Sequence, residues 1–287
     1  MKPKPPADIH QRELCRTIAA GLSRVRSDLA RELAADPQCL TLVSWTYSFY
    51  RRHGDLDLDR HGIDSLLHQP EPSSEDIAEI DSVARRPARL LHVLGDASPW
   101  FGRLIAKPDM RLTMSEARRY LHNRKGLADK VRSMLKKVLE DTWRANERVL
   151  LIGHSLGSVI AYDTLWELSH EDRHAGRVDL FITLGSPLAS RFIAKQLRGT
   201  SNSGSRRYPT NIRRWENFSA RGEMTSLHPE LRPHFEEMVE LGILESLTDR
   251  VDLYNHYRGD RGLNVHKSYG YLAHSAVAET IAGWLSS

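Results

Sequence analysis

Apolar and polar positions along the 287-residue chain alternate between runs typical of buried strands and spacings typical of helices. The apolar runs predict strands at 40–45, 149–152, 178–184, 212–218 and 251–257. Helical spacing predicts helices over 10–35, 127–138, 156–168, 229–243 and 273–284. Because strands that alternate with helices build a mainly parallel sheet with helices on both faces, the pattern predicts an α/β fold.

Two segments between the first helix and the central strands do not follow this alternation. Residues 50–88 are polar and are predicted to be a surface insertion. Residues 89–112 are more apolar and carry Trp100 and Phe101 beside Pro99, so they resemble a lid over a pocket, although ordinary packing explains them equally well. No linker or repeat interrupts the pattern, and we predict one domain over 1–287 with lid-like insertions around 50–112.

A five-residue motif, Gly153-His154-Ser155-Leu156-Gly157, joins the strand at 149–152 to the helix after it. A G-x-S-x-G sequence in this context is typical of a nucleophile elbow, in which a strained turn holds the serine hydroxyl clear above the sheet. We expect both Gly153 and Gly157 to be required because a side chain has no room beside such a turn. The helix N-terminus favours negative charge, and the N–H of Leu156 is the predicted oxyanion donor. The alternative interpretation is a serine that only caps the helix.

The serine needs a histidine to accept its proton and a carboxylate to orient that histidine. In an α/β-hydrolase fold the acid follows the serine in the chain and lies on the loop after a late strand. Glu223 is the only carboxylate of the loop at 219–224 and is the predicted acid. A solvated loop glutamate is the alternative interpretation, and Asp249 or Asp252 is the second choice of acid.

Fourteen histidines compete for the role of the base. Only His266 falls on the loop between the last predicted strand and the final helix, which is where this fold places its histidine. His256 lies inside that strand, His274 begins the final helix and His228 comes too early in the chain. We therefore predict His266 as the base, and a structural role for His154 beside the elbow.

Three segments of the chain resemble those of a known group of enzymes. Gly-His-Ser-Leu-Gly-Ser-Val-Ile-Ala-Tyr-Asp at 153–163 resembles the nucleophile segment of lipase- and esterase-like α/β-hydrolases, including intracellular phospholipase A1-type enzymes. Thr-Leu-Gly-Ser-Pro-Leu at 183–188 and Trp-Glu-Asn-Phe at 215–218 resemble the following strands of a bacterial lipase-like group. The resemblance implies a triad of Ser155, Glu223 and His266, whereas relatives more often carry Asp as the acid.

The front of the chain departs from this pattern. Such enzymes usually begin with a strand that ends in a His-Gly loop, and a backbone N–H of that loop completes the oxyanion hole. Residues 1–6, Met-Lys-Pro-Lys-Pro-Pro, resemble the segment that comes directly after that loop. We therefore expect an α/β-hydrolase fold without the N-terminal strand and oxyanion loop, either because the sequence begins after them or because the protein has lost them. The second oxyanion donor stays unassigned.

Composition and charge narrow the classes of protein that fit the chain. The chain has 41 Lys and Arg against 37 Asp and Glu, a net charge of +4, and no run of about 18 apolar residues. Cys15 and Cys39 form neither a disulfide framework nor a metal-type spacing, so a cytoplasmic protein without metal or organic cofactor is expected. A small basic cluster comprises Arg206, Arg207, Arg213 and Arg214. The cluster could attract an anionic surface or substrate, but we interpret it as a solvated loop and strand edge. Nothing beyond the high pI favours nucleic-acid binding.

The sequence thus predicts a serine hydrolase that cleaves lipid or other acyl esters through an acyl-enzyme. Its expected partner is a small ester or lipid substrate, with contact to a membrane surface left open. The alternative is a non-catalytic or N-terminally truncated relative that binds an acyl ligand or a protein partner. Amide or thioester cleavage also stays open, because a triad does not choose its leaving group.

Overall fold

A computed structural model of the chain describes residues 3–36, 38, 40–84, 108–223 and 228–287. The described residues form two compact units that interleave along the sequence. Residues 108–219, 223 and 228–252 belong to the first, and residues 3–36, 38, 40–84, 220–222 and 253–287 to the second. The single domain predicted over 1–287 stays a prediction.

Helices and strands are numbered here in chain order. The helices are α1 (Ala7–Ser23), α2 (Ser27–Ala35), α3 (Thr46–Tyr50), α4 (Asp57–His68), α5 (Ser74–Ala84), α6 (Pro108–Leu121), α7 (Leu127–Arg144), α8 (Leu156–His170), α9 (Arg191–Ala194), α10 (Arg232–Phe235), α11 (Glu237–Glu240), α12 (Ser268–Leu272) and α13 (Ser275–Leu285). The strands are β1 (Leu150–His154), β2 (Val178–Leu184), β3 (Ile212–Ala220), β4 (Ser246–Leu253), β5 (Arg258–Gly259) and β6 (Gly262–Leu263).

The first unit is built around a parallel four-stranded sheet in the order β1-β2-β3-β4. β1 and β2 pair from Leu150 opposite Leu180 to His154 opposite Leu184, and β3 continues in the same direction. β1 and β2 are largely apolar because helices cover a parallel sheet on both faces, whereas β3 and β4 carry several charged residues. A parallel sheet surrounded by helices confirms the predicted α/β-hydrolase fold class.

Helix α8 is more deeply buried than its sequence pattern indicated. The amphipathic helix expected after Ser155 is instead buried on nearly every side, including polar positions such as Asp163 and Glu167. Asp163 accepts hydrogen bonds from the Tyr120 hydroxyl, at 2.9 Å, and from the Arg198 N–H, at 2.8 Å. Burial raises the pKa of this carboxyl to about 6, although both hydrogen bonds oppose that shift.

The second unit contains helices α1–α5, α12 and α13 and the antiparallel hairpin of β5 and β6. Its core cluster comprises Leu56, Ile63, Leu66, Tyr257, Tyr269 and Ala273. The single helix predicted over 10–35 is two helices, broken at 24–26 where the Arg24 guanidinium donates to the carbonyls of Pro70 and Ala273. The chain therefore turns where a long polar side chain ties it to other segments.

The strand predicted at 40–45 is wrong. Residues 41–44 form a loop in which no side chain is fully buried. The Leu42 N–H donates to the Gln11 side chain, and the Trp45 N–H donates to the Val43 carbonyl in a turn. These bonds replace a strand ladder, so the apolar run packs without joining a sheet.

The predicted insertions also differ from the structure. Residues 50–88 carry α4 and α5, whose Ile63, Leu66 and Ile80 are buried, so much of this polar segment contributes to a core. Most of the lid-like segment at 89–112 lies outside the described residues, and its last residues begin α6.

Two further boundaries are corrected towards the C-terminus. The helix predicted over 229–243 is the two short helices α10 and α11. The strand predicted at 251–257 is β4, which covers Ser246–Leu253 and ends before residue 254. This shift changes the position of His256, which follows the strand instead of lying inside it.

Candidate functional site

Ser155 lies in a strained turn between β1 and α8. Its φ and ψ angles are 53° and −127°, a combination that a residue with a side chain adopts only at an energetic cost. The turn is held from both sides: the Ser155 N–H donates to the Leu184 carbonyl at 3.0 Å, and the Ser155 carbonyl accepts the Ser158 N–H at 3.0 Å. The strand, turn and helix predicted around the motif are therefore all present.

The two motif glycines are not equivalent. A Cβ atom on Gly153 would lie 2.7 Å from the Ser158 Cα, closer than real atoms approach. A Cβ atom on Gly157 would meet nothing within 4 Å. The expected lack of space is therefore found at Gly153, whereas at Gly157 the steric reason is wrong.

Ser155 is shielded from solvent. Only 1 % of its surface is exposed, so the residue is buried at the end of β1. The Ser158 hydroxyl donates to the Ser155 carbonyl at 2.6 Å and lies 2.7 Å from the Ser186 hydroxyl. The Leu156 N–H has no acceptor within α8, because it belongs to the first turn of that helix. An N–H at this end of a 15-residue helix favours a developing negative charge beside Ser155.

The acid candidates occupy different environments. Glu223 comes shortly after the end of β3 and is 1 % exposed, so the alternative of a solvated glutamate is not what the structure shows. Asp249 accepts the Asn217 amide at 2.7 Å and the backbone N–H groups of Leu231 and Arg232 at 2.9 and 2.8 Å. Three donors therefore commit Asp249 to holding β3, β4 and α10 together.

The rejected histidines have structural partners. The Nε2 atom of His256 lies 2.8 Å from the Gln69 carbonyl, which gives a better reason for setting it aside than its predicted place in a strand. The His274 Nδ1 atom accepts the Ala276 N–H at 3.2 Å and caps α13. His228 lies with its ring 6.2 Å from that of His234. His154, half-buried, is the last residue of β1.

His266 lies half-buried on the loop between β6 and α12, which the structure holds from several directions. The buried Asn255 amide donates to the Val265 carbonyl at 2.8 Å and to the Lys267 carbonyl at 2.9 Å. The Lys267 ammonium in turn lies 2.5 Å from an Asp59 carboxylate oxygen. The carbonyls on both sides of His266 are thus fixed by one side chain.

The sequence analysis did not identify Asn255, because its hydrogen bonds to the His266 loop form only in the folded chain. One indirect signal is Gly270, where a Cβ atom would lie 1.7 Å from the Asn255 Oδ1.

Ser155 and Glu223 belong to the first unit and His266 to the second. Among the described residues no group of His, Cys, Asp and Glu side chains is arranged to hold a metal ion, and no helix is long and apolar enough to cross a membrane.

Comparison with protein families matches residues 104–224 to the family described as lecithin:cholesterol acyltransferase. The matched segment is less than half of the chain; it includes Ser155 and Glu223 and ends before His266. No curated protein and no solved structure matches the chain. The match and the parallel sheet together fit an α/β-hydrolase superfamily.

Proposed function

We propose that the chain is an acyl-transfer enzyme of the ester-hydrolase type, with Ser155 as nucleophile, His266 as general base and Glu223 as the acid that orients His266. The observation that carries the proposal is the strained backbone of Ser155, because natural proteins retain such strain mainly where function requires it. Buried Glu223 and the firmly held His266 loop support the other two roles.

In the proposed reaction the Ser155 hydroxyl attacks the ester carbonyl carbon while His266 accepts its proton. The Leu156 N–H stabilises the resulting oxyanion, an interaction whose loss typically slows such reactions about a hundredfold or more. Collapse of the intermediate expels the alcohol, which takes the proton from His266 and leaves the acyl group on Ser155. Water, deprotonated by His266, then releases the acid.

The substrate class rests on the family match. The name of the matched family joins lecithin, a phospholipid, with cholesterol, an acyl acceptor, and so supports a lipid ester as the acyl donor. The same name favours a second candidate function, in which an alcohol instead of water removes the acyl group from Ser155. Both reactions share the first half, so one acyl-enzyme serves either outcome.

The test measures fatty-acid release from phosphatidylcholine vesicles and from a soluble nitrophenyl ester, with and without a sterol in the vesicles. Ser155→Ala is expected to abolish release from both substrates, whereas Ser203→Ala, a change at an exposed serine of the same unit, leaves it intact. Sterol ester formed at the expense of free acid would establish the transferase. Turnover that survives Ser155→Ala would contradict the proposal.

A further inference from the structure

A cleft of about 460 Å³ opens in the first unit, away from Ser155. Its walls include Arg173, Arg177 and Asn211, which lie around the amino ends of β2 and β3. Because Ser155 follows the carboxyl end of β1 and these strands are parallel, the cleft lies at the opposite edge of the sheet. The proposed catalytic residues do not use it.

Asn211 is the unusual residue of this cleft. It is 3 % exposed, yet neither its Nδ2 nor its Oδ1 atom has a hydrogen-bond partner within the described parts of the chain. Its carbonyl accepts the Val178 N–H at 2.8 Å, which fixes the backbone beside β2. A buried amide without partners weakens folding, so its presence in a cleft wall points to a group that completes it.

Two guanidinium groups give the cleft a positive charge. Arg173 and Arg177 are exposed, and neither forms an ion pair with any residue that the structure describes. The acidic residues nearest in sequence have other partners. Asp172 lies 2.6 Å from the Lys136 ammonium, and Glu171 lies 3.8 Å from the Arg198 guanidinium. The Asp179 carboxylate, two residues after Arg177, accepts the Val149 N–H at 3.0 Å. Neither guanidinium is therefore neutralised by a direct ion pair within the described residues.

His174 adds a directed donor to the same wall. Its ring stacks on Trp143 with a centroid distance of 4.8 Å, and its Nδ1 atom accepts the Gly176 N–H at 2.9 Å. Since Nδ1 acts as an acceptor, the ring proton of the neutral histidine resides on Nε2, which then serves as a donor. The backbone of Arg177 is tied to the same Trp143, whose indole N–H donates to its carbonyl at 2.8 Å.

We infer that this cleft binds a phosphate group, carried either by a small soluble molecule or by a lipid headgroup. Two arginines, the imidazole Nε2–H and the Asn211 amide offer more donors than a carboxylate uses, whereas a phosphate has enough oxygens for all of them. A protonated phosphate oxygen, or a neighbouring hydroxyl, donates to the Asn211 Oδ1. The ligand would thereby satisfy both atoms of the buried amide.

The experiment titrates the purified full chain with inorganic phosphate and glycerol phosphate while the tryptophan fluorescence is followed, because Trp143 contacts two elements of the cleft. A second arm measures sedimentation with phosphatidylcholine vesicles that do or do not contain phosphatidic acid. The double variant Arg173→Gln/Arg177→Gln is expected to weaken binding about tenfold or more, and Asn211→Leu by a smaller factor. Arg12→Gln, which removes an exposed charge in the second unit, is the matched control.

Binding of a soluble phosphate that depends on both arginines supports the inference with a small molecule as source. Binding confined to phosphatidic-acid vesicles, with the same dependence, supports it with a lipid source. Binding that is equal in the native chain and the double variant, or no binding of either probe at millimolar concentration, overturns it. Ester turnover is measured in parallel and stays unchanged in these variants, so failure of the cleft and failure of the proposed catalytic function are distinguishable.

Discussion

The two glycines of the elbow allow a matched test of how the Ser155 turn is built. In Gly153→Ala, the distance between the new Cβ and the Ser158 Cα must grow from 2.7 Å to at least 3.4 Å. That shift of roughly 0.7 Å moves backbone rather than a flexible side chain, and forced overpacking of this kind costs about 1–3 kcal/mol of unfolding free energy.

The same shift reaches Ser155 through the hydrogen bond from the Ser158 N–H to its carbonyl. A misplacement of about 1 Å in a catalytic group lowers turnover by roughly a hundredfold, so Gly153→Ala is expected to lose about ten- to a hundredfold in kcat/KM. Gly157→Ala meets open space and gains helix propensity, so its stability rises by up to about 1 kcal/mol.

The assay is thermal unfolding of both variants, with ester turnover or Ser155 labelling measured beside it. The structure predicts a loss of about 2–12 °C in melting temperature for Gly153→Ala and no loss for Gly157→Ala. Equal destabilisation by the two changes would refute the reasoning, and so would a Gly153→Ala variant with native stability and turnover.

Buried polar groups lead to three other predictions. Asn255→Ala removes two donors from the His266 loop and is expected to lower the unfolding free energy by about 2–4 kcal/mol, together with kcat. Asn255→Asp, which sets a carboxylate against two carbonyls, costs at least as much. Burial raises the pKa of Asp163 to about 6 from 3.8, so the folded state binds the proton of this carboxyl more tightly than the unfolded state does. The proton contributes about 3 kcal/mol to the unfolding free energy at low pH, and this contribution is lost as the pH rises from about 4 through 6. Asp163→Asn therefore flattens that part of the profile of unfolding free energy against pH. Glu223→Gln is expected to lower kcat about a thousandfold or more with little change in stability, whereas Asp249→Asn destabilises and leaves kcat near native in the folded fraction.

Each of these has a result that contradicts it. An Asn255→Asp variant as stable as the native chain would show that its two donor bonds do not hold the loop. If native and Asp163→Asn chains lose stability in parallel between pH 4 and 6, other groups dominate that window. A larger loss of kcat in Asp249→Asn than in Glu223→Gln would exchange the roles assigned to the two acids.

The central strands were predictable because helices bury a parallel sheet on both faces. Such strands read as continuous apolar runs, and the run at 178–184 matches β2 residue for residue. The run at 40–45 is similarly rich in apolar residues but forms a loop, in which the Leu42 N–H bonds to a side chain and the Trp45 N–H to a carbonyl in a turn. Local pattern does not distinguish the two cases, since the difference lies in tertiary partners.

The residues of the candidate site also divide into those that local sequence predicts and those that depend on tertiary packing. Ser155 was predictable because its motif is local and the strained turn follows from the strand and helix around it. The steric difference between Gly153 and Gly157 was not predictable from the sequence, because it depends on where Ser158 packs. Asn255 was invisible because it acts on a loop ten residues later in the chain, through hydrogen bonds that only the folded second unit brings together.

The central claim is that Ser155 is an activated nucleophile, and fluorophosphonate labelling tests it most directly. The purified chain is treated with the reagent, the modified peptide is located by mass spectrometry, and His266→Ala, Glu223→Gln and His256→Ala are treated in parallel. The account predicts a label on Ser155 that is lost in His266→Ala, slowed in Glu223→Gln and retained in His256→Ala. A folded native chain that takes no label, or one whose labelling of Ser155 does not change without His266, would contradict it.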